Sequence, residues 1–244
     1  MSQHKAARPL IVALDGPASS GKSSVGAAAA RARGYSFCDT GLLYRALTDL
    51  ALRRGTARDD VTALVALIDE VELAADDGAG LSRVLVDGLD VTAAVHSPDV
   101  DRHVSEVAGV PEVRAALLTR QRTLAAGGGI VMAGRDIGTV VLPHADLKIY
   151  LDASPEERAR RRADERGVDP ASAIAGSILA DLRRRDELDR NRPVAPLRAA
   201  ADARIIHTDG NRFEQTVTAV EAIIRAAETC RPSGSARDEA ELRR

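Results

Sequence analysis

The sequence predicts a three-layer α/β protein, in which a parallel central sheet is flanked by helices and joined by a small mixed insert with antiparallel strands and a helical lid. Three observations predict this class. Short apolar segments alternate with helix-like segments along most of the chain. One region rich in Asp-Gly turns breaks the alternation. The 244 residues, 45% of them hydrophobic, are enough to bury one large core.

The core elements alternate in type along the chain. In chain order we predict strand 10–14, helix 22–33, strand 35–38, helix 42–54, strand 129–134, strand 147–151, helix 155–165, helix 173–190, strand 204–208 and helix 213–228. The segment SPEERARRRADE, which contains the predicted helix 155–165, has the pattern of a capped helix. Ser154 is the N-cap, Pro155 takes the first helical position and Glu157 closes a capping box. Short apolar strands separated by helices indicate a buried parallel sheet.

An insert interrupts this order. Short β-like runs with Asp-Gly turns between about residues 71 and 91 predict antiparallel strands, and a helical pattern returns over about 98–126. We therefore expect a single domain over 1–230. Its parts are a core of about 8–58 and 127–229, an insert of about 60–125, a lid of about 158–185, and a polar tail, 231–244, that we expect to be disordered.

Composition excludes several classes of function. The net charge of −2 and the low aromatic content, with no Trp, disfavour a nucleic-acid or anionic-membrane partner. Cys38 and Cys230 form neither a disulfide framework nor a metal-ligand spacing. The first apolar run is too short for a signal peptide or a membrane span. We expect a cytoplasmic protein, and a monomer by default.

The stretch GPASSGKSS fits the phosphate-binding pattern G-x-x-x-x-G-K-[ST] between a predicted strand and a predicted helix. Glycines let backbone N–H groups turn toward anionic oxygens, Lys22 reaches the β and γ phosphates, and Ser23 places a hydroxyl on Mg²⁺. The residues expected to hold the nucleotide are Gly16, Pro17, Ala18, Ser19, Ser20, Gly21, Lys22, Ser23 and Ser24. This P-loop alone does not separate GTPases, ATPases and small-molecule kinases.

Charged residues follow the predicted strands where ligands bind in open α/β sheets. Asp39 and Thr40 end the second strand, and Arg45 lies in the next helix, placed to bind an acceptor's phosphate. Arg135 and Asp136 follow the strand at 129–134.

Two helices are rich in arginine. Residues that share a face are Arg158, Arg161 and Arg162 in the first helix, and Arg185, Asp189 and Arg192 in the second. Interleaved acids prevent a continuous basic stripe, so we expect these arginines to fold over a phosphate site rather than to bind nucleic acid. The Gly- and Pro-containing link at 166–173 suits a mobile lid that excludes water.

Five segments in this order resemble the P-loop nucleoside monophosphate kinases, and within them the bacterial cytidylate kinases. The segments are GPASSGKSS, DTGLLYR, GRDIGTVVLP, KIYLDASPEERARRR and RRRDELDRNRPVAPL, and the similarity spans about residues 10–224. The resemblance implies transfer of the γ-phosphoryl group of ATP, with Mg²⁺, to CMP or dCMP. The insert of about 60–125 would then be the part that binds the nucleoside monophosphate.

The resemblance also implies roles for individual residues. The residues implied to face the cytosine are Ser105, Arg114 and Asp136, and those implied to hold the CMP phosphate are Arg45, Arg135 and Arg192. The residues implied to hold the sugar are Arg185 and Asp189, with Arg185 also near the phosphate. The residues implied to serve the lid are Arg158 and Arg162. We expect catalysis to rest on Lys22, Arg135, Arg158, Arg162 and Arg185, without a covalent nucleophile. Asp136 should favour CMP, because uracil O4 would face its carboxylate without a proton between them.

The sequence departs from the family pattern at Ala133, where members often carry an acidic residue before Gly-Arg-Asp. We expect activity to survive with a higher Mg²⁺ requirement, with Asp15 or Asp39 compensating. The alternatives are another acceptor such as shikimate, a GTPase-type switch or nucleotide-binding module, and an RNA-binding module. The chain has no N-K-x-D segment that would read guanine.

Overall fold

The computed structural model describes residues 9–76 and 80–230. Its strands are β1 (Ile11–Asp15), β2 (Ser36–Asp39), β3 (Val71–Ala74), β4 (Gly80–Leu81), β5 (Arg83–Val86), β6 (Leu89–Asp90), β7 (Ile130–Gly134), β8 (Leu147–Asp152) and β9 (Arg204–His207). Its α-helices are α1 (Lys22–Ala32), α2 (Gly41–Arg54), α3 (Val61–Ala66), α4 (Pro98–Val107), α5 (Pro111–Ala125), α6 (Pro155–Glu165), α7 (Ala173–Asn191) and α8 (Phe213–Thr229). The predicted tail, 231–244, and the Asp-Gly turn at 77–78 lie outside the described residues.

The central sheet has six parallel strands in the order β4-β2-β7-β1-β8-β9. All of β1 is buried, because the sheet carries apolar layers on both faces. Residues of α1 and α8, such as Val25 and Ile224, pack on one face, and Ala125 and Ile137 pack on the other. The predicted α/β class is confirmed. Parallel pairing brings the carboxyl ends of the strands to one edge of the sheet.

The insert forms a second sheet, β3-β5-β6, with antiparallel pairing. Asp87 and Gly88 connect β5 to β6 with φ of 50° and 75°, the positive values that a tight two-residue hairpin turn requires. A third apolar cluster joins this sheet to α2, α4 and α5. The predicted antiparallel strands are confirmed, and the structure adds β4, which no predicted strand covers and which pairs in parallel with β2 in the central sheet. A two-residue strand has no periodicity from which its partner could be predicted.

The start of α6 differs in part from the predicted capping box. Ser154 caps the helix, and its Oγ accepts the N–H of Glu157 at 3.2 Å. The reciprocal bond is missing, because the Glu157 carboxylate accepts from Arg160 and Arg161, while the N–H of Ser154 donates to Asp209. Charge-assisted bonds from guanidinium groups are stronger than a bond to a backbone N–H, which explains the exchange of partners.

Helices α6 and α7 pack against each other and against the loop that follows β1. Their shared apolar cluster contains Ala159, Ala163, Ile178, Leu182 and the loop residue Ala18. Of the helices in the described part of the chain, none is long and apolar enough to cross a membrane.

Candidate functional site

A tight loop joins β1 to α1 at the carboxyl edge of the sheet. Gly16 and Gly21 have φ of 152° and 91°, and a Cβ on Gly16 would lie 2.2 Å from the carbonyl oxygen of Leu151. Position 16 therefore tolerates only glycine, which lets the loop turn against the end of β8. The loop ends at the N-terminus of α1, whose unpaired N–H groups favour anions.

Lys22 is buried at the centre of this loop. Its Nζ donates to the carbonyl oxygen of Pro17 at 2.6 Å and lies 3.4 Å from the Oγ of Ser20. Burial, followed by the nearby Arg135, lowers the pKa of Lys22 well below its ordinary value. A phosphate beside Nζ would reverse that trend, because a neighbouring anion favours the charged ammonium.

The hydroxyl of Ser23 donates to the Oδ2 of Asp39 at 2.5 Å. Asp39 ends β2, and its register partner in β7 is Ala133. Asp15 behaves differently, because both of its oxygens accept backbone N–H groups, from Ile137 and Gly138, at 2.7 Å. Of the two carboxylates expected to compensate for Ala133, only Asp39 therefore contacts the Ser23 side of the loop.

A second group of charges surrounds Asp136, directly after β7. Its Oδ2 accepts from Arg114 and its Oδ1 accepts from Arg192 at 3.1 Å. The guanidinium of Arg114 also lies over the ring of Tyr44, 5.4 Å from the centroid. Asp136, Arg114 and Arg192 are all buried, and Ser105 is buried beside them on the same cavity wall. Buried charges that are hydrogen-bonded to one another in this way hold their side chains in fixed positions.

Arg135 and Asp189 form a neighbouring pair, with the Nε of Arg135 donating to Asp189 Oδ2 at 3.0 Å. Burial on its own would raise the pKa of Asp189, but Arg135, Arg192 and Arg185 hold it below its ordinary value. Burial, followed by Arg45, lowers the pKa of Arg185 to about 10, so Arg185 stays cationic at neutral pH. The Nε of Arg185 is buried with no hydrogen-bond partner among the described residues.

Asp101, a residue that the sequence did not single out, joins the remaining arginines. Its carboxylate accepts from Arg45, Arg162, Arg166 and Arg185. The spacing in the sequence could have indicated both residues. Asp101 lies four residues before the predicted site residue Ser105, and Arg166 lies four residues after Arg162, and residues at that spacing lie on one face of a helix.

One cavity of about 510 Å³ contacts both the loop and these charged groups. The predicted site residues that line it are Ala18, Ser19, Gly21, Lys22, Ser23, Ser24, Asp39, Thr40, Arg45, Ser105, Arg114, Arg135, Asp136, Arg162, Arg185, Asp189 and Arg192. Gly16, Pro17 and Ser20 support the loop without lining the cavity. The volume is within the usual range for a small-molecule site.

Arg158 is the predicted catalytic residue that the structure does not bring into the cavity. It is fully buried behind the loop, where it forms two bonds to Asp186 and donates to the carbonyl oxygens of Ala18 and Ala153. Its neighbours on α6 contact other residues, with Arg161 donating to Thr208 and Arg162 donating to Asp101. The side chain therefore connects α6 and α7 to the back of the phosphate loop.

Comparison with known proteins identifies sequence relatives of this chain. The sequence model of the cytidylate kinase family matches residues 12–228. A cytidylate kinase from Symbiobacterium thermophilum is 46% identical over 86% of this chain and 93% of its own length. A cytidylate kinase from Desulfitobacterium hafniense is 45% identical over 85% of this chain and 89% of its own. Among solved structures, a gluconokinase from Sinorhizobium meliloti 1021 is 19% identical with a TM-score of 0.46, covering 91% of this chain and 95% of its own.

Proposed function

The chain belongs to the cytidylate kinase family, and we propose that the cavity described above is where it transfers the γ-phosphoryl group of ATP to CMP or dCMP. One observation carries the proposal. The phosphate loop and the buried Asp136 line the same cavity, so a donor triphosphate and an acceptor nucleotide can meet inside it. Alignment of two bound substrates in line supplies much of the acceleration in phosphoryl transfer.

At the donor end, the loop residues 16–24 bind the ATP phosphates and Lys22 contacts the β and γ groups. Magnesium would be held by the phosphates together with Ser23, with Asp39 accepting from Ser23 or from a coordinated water. The donor set suits Mg²⁺, because both side chains offer hard oxygens. The described residues contain no group of three or more acidic, His or Cys side chains that could hold a metal unaided, which fits an ion carried mainly by the nucleotide.

At the acceptor end, Arg135 and Arg185 receive the CMP phosphate first. Arg135 contacts Asp189 through its Nε, and the buried Nε of Arg185 has no hydrogen-bond partner among the described residues. Arg45 and Arg192 already have protein partners and join as those bonds rearrange. Together these guanidinium groups neutralise charge on the transferring phosphoryl group.

Asp136 recognises the cytosine base by hydrogen bonding, together with Ser105 and Arg114. Two arginines already contact its carboxylate, but an ionised carboxylate offers about four acceptor sites, so about two remain and one of them can accept the cytosine amine. Uracil presents a carbonyl there, and the mismatch costs on the order of 1–3 kcal/mol. Asp189 contacts Arg135 and lines the same cavity, so its carboxylate is suited to the ribose hydroxyls. Thr40, at the end of β2, lines the cavity as well.

The lid over this cavity would be formed by α6 and α7, and of the two predicted lid arginines, Arg158 and Arg162, Arg162 is the one that lines the cavity. We propose that the enzyme works as a cytoplasmic monomer on small molecules alone, without a nucleic-acid or membrane partner. An exposed, unpaired Cys230 suits a reducing compartment.

Arg185→Gln tests the location of the acceptor site. We expect kcat/KM for CMP to fall by about a hundredfold while the KM for ATP changes little, because a charged donor to the acceptor phosphate is lost. The protein should still fold, since three other arginines continue to contact Asp101. Arg184→Gln is the matched control, because Arg184 directly precedes Arg185 on α7 and does not line the cavity. Equal kinetics for the two variants would place the acceptor elsewhere.

A further inference from the structure

Asp101 of α4 is almost completely enclosed by guanidinium groups. Its Oδ1 accepts from Arg45 at 2.7 Å and from Arg185 at 2.8 Å. Its Oδ2 accepts from Arg162 and Arg166, each at 2.5 Å. The residue is 9% exposed, and the arginines come from α2, from α7 and from α6 and its C-terminal end.

The cations in this cluster outnumber the anions. Among the described residues, the acids that form ion pairs with these four arginines are Asp101 and an exposed Glu165, which lies 3.4 Å from Arg162, while Asp189 also acts on the charge of Arg185. Burial on its own would raise the pKa of Asp101, but Arg45, Arg185 and Arg162 hold it well below its ordinary value. The carboxylate is therefore ionised at physiological pH, and a positive excess remains around it.

The same arginines face the proposed acceptor phosphate. Arg45, Arg162 and Arg185 all line the cavity, and the Nε of Arg185 is buried without a partner among the described residues. A phosphate group carries more charge and more acceptor oxygens than a carboxylate, so it can bind these donors more strongly. Asp101 thus occupies donors that a substrate phosphate needs.

We propose that Asp101 is a built-in counter-anion of the acceptor-phosphate site, neutralising Arg45, Arg162, Arg166 and Arg185 until a substrate phosphate takes over as their partner. The inference rests on the proposed function, because it assumes that these arginines bind the acceptor. The carboxylate stabilises the arginine cluster in the free protein and opposes the entry of small free anions. A nucleoside monophosphate overcomes that opposition because its base and sugar add contacts that inorganic phosphate lacks.

The experiment measures inorganic phosphate binding by calorimetry and by the midpoint of thermal unfolding, without nucleotide. Asp101→Asn should bind phosphate at least about tenfold more tightly than the parent, because a unit negative charge leaves the site. Its unfolding midpoint should be lower in phosphate-free buffer and should rise more steeply as phosphate is added. Phosphate that binds at the loop between β1 and α1 should bind equally in the parent and in the variants, so it does not contribute to the difference between them.

Two further variants separate charge from structure. Asp101→Glu keeps the charge and should bind phosphate as the parent does. Asp99→Asn removes an exposed acid from the same helix, with one arginine partner, and should also match the parent. In turnover assays, inorganic phosphate should compete with CMP at an about tenfold lower concentration in Asp101→Asn than in the parent. Unchanged or weaker phosphate binding by Asp101→Asn would overturn the proposal.

A variant that does not fold still leaves the proposal testable. Asp101→Asn/Arg166→Gln removes one cation together with the anion, so it should unfold at a higher temperature than Asp101→Asn alone. A double variant less stable than both single variants would show that charge balance is not the role of Asp101. The phosphate titrations need no turnover, so they give a result even if the parent fails to phosphorylate CMP, in which case the proposed function falls separately.

Discussion

The variant Arg158→Met tests whether the buried Arg158 has a structural role or a catalytic one. The side chain has no exposed surface, and its guanidinium contacts Asp186, itself 2% exposed, at 2.5 and 3.2 Å. Removal of Arg158 leaves that carboxylate buried with one distant ion-pair partner within residues 9–76 and 80–230, Arg190 at 3.7 Å. Breaking a buried ion pair in this way costs about 3–5 kcal/mol, a large part of the stability of a typical domain.

Urea unfolding measures this loss, and the midpoint of thermal unfolding should fall by roughly 6–20 °C for a protein of this size. Arg158→Met/Asp186→Leu should recover most of the loss, because no unpaired charge remains. Arg160→Met is the matched control. Arg160 lies on the same helix and contacts exposed or partly exposed acids, so its loss should cost less than about 1 kcal/mol.

Kinetics complete the test. Arg158→Met should raise the KM for ATP, because the bond to the carbonyl oxygen of Ala18 supports the phosphate loop. A variant as stable as the parent, with kcat lowered a thousandfold or so, would refute the structural role. Such a result would mean that Arg158 leaves Asp186 and reaches the phosphates during the reaction.

Three further predictions concern Asp15, Asp136 and Ala133. Burial raises the pKa of Asp15 from 3.8 to about 6, so the stabilisation from its bound proton is present below about pH 4 and is lost as the pH rises through about 6. The free energy of unfolding of the parent should therefore fall by about 2–3 kcal/mol relative to Asp15→Asn over that interval, and parallel pH curves would contradict this. Asp136→Asn should reduce the CMP-to-UMP ratio of kcat/KM by about tenfold or more, because an amide can donate to uracil O4, and an unchanged ratio would remove Asp136 from base recognition. Ala133→Asp should lower the Mg²⁺ concentration for half-maximal activity by about tenfold, since its register partner is Asp39 beside Ser23, and an unchanged requirement would remove the reason for expecting weak Mg²⁺ binding in the parent.

The phosphate loop and the ends of the strands could be predicted from the sequence because their geometry is local. Gly16, Lys22 and Ser23 stand at the fixed spacing of a phosphate-binding loop, between a strand and a helix. Asp39 and Asp136 directly follow apolar strands, and parallel pairing brings such positions to one edge of the sheet. Lys22, Ser23, Asp39 and Asp136 line one cavity in the structure, while Gly16 lets the loop turn against the end of β8.

The partners of the long side chains could not be predicted in the same way. Arg158, Arg161 and Arg162 share a face of α6 by spacing, yet their guanidinium groups contact Asp186, Thr208 and Asp101 respectively. Which acid an arginine contacts depends on how α4, α6 and α7 pack, and the helix period carries no information about that packing. The resemblance to a family likewise says nothing about how arginines are arranged before a substrate binds.

The most direct test of the proposed function is ADP release from ATP and Mg²⁺ with CMP, dCMP, UMP, AMP and shikimate offered separately. CMP and dCMP should give the highest kcat/KM, exceeding UMP by about tenfold or more, because Asp136 faces the base. AMP and shikimate should not raise ADP release above the rate without acceptor. A leading rate with shikimate, equal rates with UMP and CMP, or no stimulation by any acceptor would contradict cytidylate phosphorylation in this cavity.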